Sequence, residues 1–158
     1  MLRGSLAVLS LAFVSLAWDA GPGSATAASS VKGSGTINFG NSVEHVSVNT
    51  SGSSGRATFN DKTVSGNVNG MIEVNCVRIV GNEATISGIV THSNRKAIEG
   101  FEGLFQIRDN GKGRGGKKSS GADFMSPVLF HAVGTGSNCQ VPGEFDLVPV
   151  KGDFTVEP

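Results

Sequence analysis

The sequence has no tyrosine, and its one tryptophan, Trp18, lies close to the N-terminus. Phenylalanine is therefore the only aromatic residue in the remainder of the chain. Tyrosine and tryptophan are the rings on which sugar-binding surfaces and protein interfaces most often depend. Their absence argues against a binding module that stacks a sugar ring on an aromatic side chain.

An excess of either charge is also missing. The chain has 13 basic and 13 acidic residues, and its formal net charge at pH 7 is zero. Proteins that bind duplex nucleic acid usually carry a basic excess that neutralises the phosphates. We therefore expect no specific nucleic-acid partner for the domain as a whole.

Long hydrophobic runs occur only at the N-terminus, where a basic start at Arg3 is followed by the apolar run 6–18. That run is shorter than the roughly 20 residues of a membrane-spanning helix. Small residues follow it, and Ala25 and Ala27 occupy the positions that a cleavage site before Ala28 requires. This layout predicts a signal peptide over residues 1–27. It predicts a secreted protein, extracellular or in the cell envelope, with no membrane span in the mature chain.

Cysteine is scarce, since the chain has only Cys76 and Cys139. Export places them in an oxidising compartment, where a disulfide between them is the expected state. The alternative is a reactive or metal-binding thiol. Neither cysteine has a second cysteine or a histidine within three residues, the short spacing that is typical of zinc sites.

Glycine is abundant, with 23 residues, and valine, isoleucine, threonine and phenylalanine dominate the runs between the glycines. Branched and aromatic side chains favour strands, and glycine favours turns. Strands are predicted near residues 33–39, 43–49, 55–60, 63–68, 71–80, 83–92, 100–108, 123–132 and 144–156. We expect a flexible N-terminal segment at 28–35 and a single all-β domain at 36–158. Its architecture is an antiparallel β-sandwich or barrel of about 8–9 strands, and the sequence leaves that choice open.

The clearest local unit is a hairpin around Gly81-Asn82, a dipeptide typical of two-residue turns. Such a turn pairs Val80 with Glu83 and so fixes the register of both strands. The resulting pairs include Ile79 with Ala84, Val77 with Ile86, Cys76 with Ser87 and Val74 with Ile89.

Phenylalanine is the expected filler of the core. In the strand predicted at 100–108, we expect the face with Phe105 to point into the core and the face with Leu104 to point away from it. The core-facing set of this strand is Phe101, Gly103, Phe105 and Ile107. Further core candidates are Phe39, Phe59, Phe124, Phe130, Phe145 and Phe154.

Three motifs follow one another in the middle of the chain. They are VRIVGNEATISGIV, which contains Val80 to Gly88, then Asp109-Asn110-Gly111, and then Asp123-Phe124. Together with GSGTINF and GRATFND nearer the front, they resemble the post-COAP domains, a family of small secreted bacterial β-domains. The resemblance covers roughly residues 33–132. It implies an all-β fold and a bacterial source, and it implies no activity, substrate or catalytic residue.

The segment 109–122, DNGKGRGGKKSSGA, is the most distinctive local feature. Its four cations are Lys112, Arg114, Lys117 and Lys118, and they stand among glycines whose backbone N–H groups are open to a ligand. The ordinary interpretation is a solvated hairpin loop that binds nothing, since loops are where polar, Gly-rich sequence usually lies. The alternative is an anion-binding loop for a polyanionic glycan, teichoic acid or nucleic acid. The sequence leaves the partner open, and a polyanionic ligand of the cell envelope or the extracellular space is the candidate.

Asp109 and Asp123 bracket this loop. Carboxylates with an asparagine between them offer the oxygen ligands that Ca²⁺ prefers. The cations between them would oppose a divalent ion, so we expect both side chains to cap backbone turns instead.

No catalytic pattern stands out. The histidines, His45, His92 and His131, show no metal-ligand spacing, and no G-x-S-x-G elbow occurs. A paired-carboxylate glycosidase needs two facing acids. The spacing selects no such pair among the candidate acids, which are Asp61, Glu73, Glu83, Glu99 and Glu102. We predict no cofactor and a non-catalytic extracellular binding or structural module; the alternative is a small secreted hydrolase or enzyme inhibitor.

Overall fold

The structure is a computed structural model that describes residues 29–113, 117–118, 121–133, 139 and 146–158, with the backbone alone at 112–113 and 117–118. The predicted signal peptide, Arg114 and Phe145 lie outside these residues. Within the described residues, no helix has the length and apolar character that crossing a membrane requires. Helical structure in this part of the chain is limited to one 3-10 turn at Lys96–Ile98.

β-Strands make up most of the described chain. The first six are β1 (Ser30–Phe39), β2 (Ser42–Ser51), β3 (Ser54–Thr63), β4 (Gly66–Val80), β5 (Glu83–Ser93) and β6 (Glu102–Arg108). The rest are β7 (Lys112–Gly113), β8 (Lys117–Lys118), β9 (Phe124–Met125), β10 (Leu129–His131), β11 (Val148–Pro149) and β12 (Lys151–Glu157). β7 and β8 form a two-stranded hairpin, and the other strands form one antiparallel sheet. The predicted all-β antiparallel fold is confirmed.

The sheet curls into a nearly closed barrel. Its strand order is β11-β9-β6-β5-β4-β3-β2-β1-β12, with β10 also beside β6. β11 and β12 stand at opposite ends of this order, yet Val150 alone separates them in the chain. Residues 148–157 therefore form one segment that pairs first with β9 and then with β1, and this segment brings the two edges of the sheet together.

The hairpin around Gly81-Asn82 has the predicted register near its turn. The pairing predicted for Val74 is wrong, because Val74 lies opposite Gly88 rather than Ile89. A bulge is the reason: Asn75 is an extra residue of β4 that has no counterpart on β5.

Some strand boundaries also differ from the prediction. The strand predicted at 63–68 spans the turn at Val64-Ser65, and its second half belongs to the same strand as 71–80, which is β4. The strand predicted at 123–132 is interrupted at 126–128, between β9 and β10. These differences move the ends of elements and leave their order unchanged.

β1 begins at Ser30, within the segment 28–35 that the composition predicts to be flexible. The strand pairs with β2 on one side and with β12 on the other. Val31 has no exposed surface. These contacts hold β1 against the core from its start.

The interior of the barrel holds the core. Alternate residues of each long strand point inward, as Val46 and Val48 do on β2. The buried apolar side chains are Val31, Ile37, Val46, Val48, Ala57, Phe59, Ile72, Val74, Ala84, Ile86, Val90, Phe105, Ile107, Met125, Val128, Val150 and Phe154.

The phenylalanines predicted for the core are only partly where the sequence places them. Phe59, Phe105 and Phe154 are buried as expected. Phe124 and Phe130 are half-buried, and the Phe130 ring lies 5.1 Å from the Phe59 ring, centroid to centroid.

The core prediction is wrong for Phe39 and Phe101, which are 42% and 37% exposed. Phe39 is the last residue of β1, and Phe101 comes just before β6. Phe39 therefore lies past Thr36, the last residue of β1 that β12 pairs with, and Phe101 lies before the first paired residue of β6.

Leu104 is buried although it lies on the outer face of β6, opposite to Phe105. Its cross-strand neighbour Ser87 is buried too. Cys139 packs against this face, with Sγ 3.9 Å from Ser87 Oγ, and its disulfide partner is Cys76. The predicted disulfide is present, and it holds Cys139 against the outside of the barrel.

Candidate functional site

The predicted anion-binding loop contains a hairpin between β6 and β9. Its strands pair with Lys112 opposite Lys118 and Gly113 opposite Lys117. The backbone thus brings three of the four predicted anion-binding residues into one two-stranded unit. We call residues 112–118 the basic hairpin.

Asp109 and Asp123 hold the base of the basic hairpin. Asp109 Oδ1 accepts the backbone N–H of Gly111 at 2.6 Å. Asp123 Oδ1 accepts the backbone N–H of Asn110 at 3.0 Å. The Asn110 side chain adds a hydrogen bond to the carbonyl oxygen of Ala122 at 2.6 Å. The prediction that the two aspartates cap backbone turns is confirmed.

The second oxygen of each aspartate reaches the last strand. Asp109 Oδ2 accepts the N–H of Val156 at 3.0 Å, on the side of β12 that faces away from β1. Asp123 Oδ2 accepts the N–H of Phe154 at 2.8 Å on the same side. Along this edge of β12, which we call the seam, carboxylates take the place of a neighbouring strand.

A third carboxylate bridges the barrel. Glu44 lies on the inward face of β2 and is 5% exposed. Both of its carboxylate oxygens lie 3.2 Å from the backbone nitrogen of Val128, between β9 and β10. Asp61 lies opposite Glu44 in the pairing of β2 with β3.

The pKa of Glu44 is raised from 4.5 to about 7. Burial is the main cause of the raised pKa, because a charged carboxylate is poorly solvated inside the barrel. The hydrogen bond from Val128 lowers the pKa, and the negative charge of Asp61 raises it. Glu44 therefore exchanges its proton near neutral pH, a property shared by general acids in enzymes.

Asp61 is among the acids that the sequence nominates, whereas Glu44 is not. The alternation in SVEHVSV contains the signal, because it puts Glu44 on the same face as Val46 and Val48. A carboxylate at an inward position of an apolar strand is itself an indication of a perturbed acid.

The outer face of β2–β5 carries a polar groove made of two adjoining cavities of about 510 and 640 Å³, which share Thr58 and Met71. Polar residues of the first cavity are Ser47, Asn49, Arg56 and Glu73. Polar residues of the second are His45, Asn60, Asn69, His92, Asn94 and Lys96. We call this surface the outer groove.

Two of the three histidines, His45 on β2 and His92 on β5, line the second cavity of the outer groove. The His45 ring contacts Thr36 Oγ1 through Nδ1 at 3.0 Å. The His92 ring contacts Thr91 Oγ1 through Nδ1 at 3.3 Å. His131 lies apart on β10, and its buried Nε2 has no hydrogen-bond partner among the described residues. Over the same residues, no three metal-ligating side chains come together.

The other candidate acids are dispersed. Glu73 lines the outer groove, and Glu83 forms an ion pair with Arg108 on β6. Glu99 follows the 3-10 turn, where the hydrogen bond from the Lys96 ammonium lowers its pKa. Among the acids that the sequence nominates, only Asp61 comes to face a second carboxylate, that of Glu44.

Comparison with known proteins identifies no relative: no family model, no curated protein and no solved structure matches the chain. The resemblance to the post-COAP domains stays a prediction that rests on its motifs.

Proposed function

We propose that the chain is an exported, non-catalytic binding module that holds polyanionic ligands of the cell envelope or the extracellular space with its basic hairpin. The observation that carries this proposal is the attachment of the hairpin. Asp109 and Asp123 tie its base to β12 and to the turn at Asn110-Gly111 through backbone N–H groups. A loop held at its base by a barrel loses less conformational entropy when a ligand binds.

The distribution of charge supports the same proposal. The chain has a net charge of zero, so a polyanion is not attracted to the protein as a whole. The cations of the basic hairpin supply a local attraction. The backbone register pairs Lys112 with Lys118, so two of these cations occupy directly opposed positions of the hairpin.

The disulfide between Cys76 and Cys139 supports the extracellular location. Disulfides persist in oxidising compartments and are rare in the cytosol. The predicted signal peptide supports the location independently of the disulfide.

Chromatography on dextran sulfate, with uncharged dextran as the reference matrix, tests this function. We expect the protein to be retained on dextran sulfate and released by salt. A variant with serine in place of Lys112, Arg114, Lys117 and Lys118 should pass through unretained.

The matched control replaces four exposed cations of the barrel with serine, so that the net charge changes equally. These are Lys32, Lys62, Arg78 and Lys151. We expect this control to bind like the wild type. Unchanged retention of the hairpin variant, or an equal loss in both variants, would show that the basic hairpin is not the site.

A small secreted hydrolase is the second candidate, and the facing carboxylates of Glu44 and Asp61 favour it. Glycosidases use such pairs, and in them one acid has a pKa raised toward neutrality. Neither residue lines the outer groove, however, and Glu44 is engaged with Val128 inside the barrel. If the protein hydrolyses a chromogenic glycoside and Glu44→Gln abolishes this activity, the hydrolase is the better-supported function.

A further inference from the structure

We infer a second binding site that does not depend on the basic hairpin. The outer groove binds an uncharged oligosaccharide, which lies across strands β2–β5 with one sugar ring over each strand.

Cross-strand rows of side chains line the outer groove. Residues paired in an antiparallel sheet carry their side chains on the same face. One row consists of Ser47, Thr58, Met71 and His92. The next row consists of His45, Asn60 and Asn69. Neighbouring strands are about 4.8 Å apart, a spacing comparable with the length of one pyranose ring along an extended oligosaccharide.

The formal charges of the outer groove are balanced. Arg56 lies opposite Glu73 in the pairing of β3 with β4. Lys96 Nζ lies 2.8 Å from Glu99 Oε1. Opposite formal charges thus occur in pairs on this surface, so a charged ligand gains no net attraction there, whereas an uncharged ligand needs none. This balance selects an uncharged polar ligand and sets the outer groove apart from the basic hairpin.

The hydrogen-bonding groups of the groove match those of a sugar. The side-chain amides of Asn49 and Asn60 each have donors and an acceptor, as a sugar hydroxyl does. Asn60 Oδ1 is buried and accepts no hydrogen bond from the described residues, and a turn of this amide toward a sugar hydroxyl would satisfy it. The Asn94 side chain stabilises the groove itself, because its Oδ1 accepts the N–H of Asn69 at 2.9 Å.

A site of this kind needs no tryptophan or tyrosine. Met71 lines both cavities, and its thioether supplies an apolar surface in the row that also contains Thr58 and His92. The composition argues against sugar stacking on aromatic rings, and hydrogen-bonding rows across a rigid sheet replace stacking here.

Binding to uncharged tetrasaccharides tests the inference. The probes are cellotetraose, xylotetraose, mannotetraose and N,N′,N″,N‴-tetraacetylchitotetraose, each titrated into the intact protein in a calorimeter. We expect at least one probe to bind, with an affinity that increases from the disaccharide to the tetrasaccharide and is insensitive to salt.

Thr58→Trp fills the point shared by the two cavities and should lower the affinity at least tenfold. Thr155→Trp, the same change on an exposed residue of β12, should leave it within twofold of the wild type. Asn60→Ala should lower the affinity for the tetrasaccharide about tenfold, because the hydrogen bond from the Asn60 amide is lost. Circular dichroism checks that each variant is folded.

The serine variant of the basic hairpin should bind the tetrasaccharide like the wild type, which separates this inference from the proposed function. The inference is overturned if no uncharged tetrasaccharide binds. It is also overturned if both Thr58→Trp and Asn60→Ala bind like the wild type, or if tetragalacturonate, a charged analogue, is the only probe that binds.

Discussion

Both carboxylate oxygens of Glu44 lie 3.2 Å from the backbone nitrogen of Val128, a residue 84 positions further along the chain. The contact joins β2 to the junction of β9 and β10, across the interior of the barrel. Val128 lies between β9 and β10 and not within a strand, and a side chain accepts its backbone N–H group. Because this side chain is ionisable, the stability of the closed barrel depends on pH.

We expect Glu44 to make the protein less stable at pH 8 than at pH 5. Its pKa is about 7 in the folded state, above the ordinary value of 4.5. Below pH 4.5 the carboxyl group is protonated in both states, so its favourable contribution is fully present. That contribution is lost as the pH rises through 7, because the folded state holds the proton more tightly. The loss is on the order of 3 kcal/mol, at about 1.4 kcal/mol for each unit of pKa.

Urea unfolding of the wild type and Glu44→Gln at pH 5 and pH 8 measures this effect. The glutamine keeps an oxygen for the Val128 N–H and removes the titration. The free energy of unfolding of Glu44→Gln, relative to that of the wild type, should be higher at pH 8 than at pH 5. The control Glu73→Gln, at an exposed residue, should show the same pH dependence as the wild type. A difference between Glu44→Gln and wild type that is the same at both pH values would contradict the role of Glu44.

Asp123→Asn should weaken the seam. The amide keeps one oxygen acceptor for the two backbone N–H groups, of Asn110 and Phe154, that the carboxylate now accepts. We expect a loss of about 1–3 kcal/mol in the free energy of unfolding, the usual effect of leaving a buried donor unpaired. Hydrogen exchange followed by NMR should show faster exchange at Phe154. The exposed Asp146→Asn serves as control, and equal effects of the two changes would refute the role of the seam.

Removal of the disulfide should cost about 4 kcal/mol of stability. Cys76 and Cys139 are separated by 63 residues, and the chain-entropy relation gives about 4 kcal/mol for a closed loop of this length. The double variant Cys76→Ala/Cys139→Ala should keep its strand content by circular dichroism, because the barrel pairing does not pass through the bond. Its urea midpoint should fall to that of the reduced wild type. Identical midpoints for the variant and the oxidised wild type would rule out this contribution.

Gly88→Ala should disrupt the bulge of β4. A Cβ atom at Gly88 would collide with the carbonyl oxygen of Glu73 and lie 2.6 Å from Val74 Cα, both of them backbone atoms. Overpacking of this kind costs about 1–3 kcal/mol. Gly121→Ala is the matched control, since the nearest atoms to its Cβ are 3.5 Å or more away. Thermal unfolding should separate the two variants clearly, and a Gly88→Ala protein as stable as the control would show that the bulge adapts.

Local features of this fold follow from the sequence. The Gly81-Asn82 turn sets the register of its hairpin near the turn, because two residues determine the geometry of such a turn. Asp109 is recognisable as a capping residue for the same reason, since it accepts the N–H of Gly111 two positions away. Asp123 caps the same turn from 13 positions further along the chain, at the other end of the loop that the two aspartates bracket.

The features that the sequence leaves hidden depend on distant contacts. The second hydrogen bonds of Asp109 and Asp123 reach residues 47 and 31 positions away, on a strand whose place in the barrel no local pattern predicts. The bulge at Asn75 lies where Gly88 approaches the backbone of Glu73 and Val74 closely, a contact between strands that no local pattern indicates.

The outer groove could not be predicted from the sequence either. Its rows exist only because the registers of β2, β3, β4 and β5 are combined. The choice between sandwich and barrel was also open, because closure rests on the pairing of β1 with β12. The exposure of Phe39 could not be predicted either, because it depends on where β1 ends.

The closing pair of strands has a consequence for how the protein is made. β1 and β12 lie at the two ends of the described chain, and the hydrogen bond between Ser30 and Glu157 spans 127 positions. A chain that emerges from its N-terminus presents one edge of β1 unpaired until residues 151–157 arrive. An open strand edge is a template for another copy of the same chain. The protein is therefore most prone to self-association while it is still being synthesised, and loss of residues 151–157 would make that state permanent.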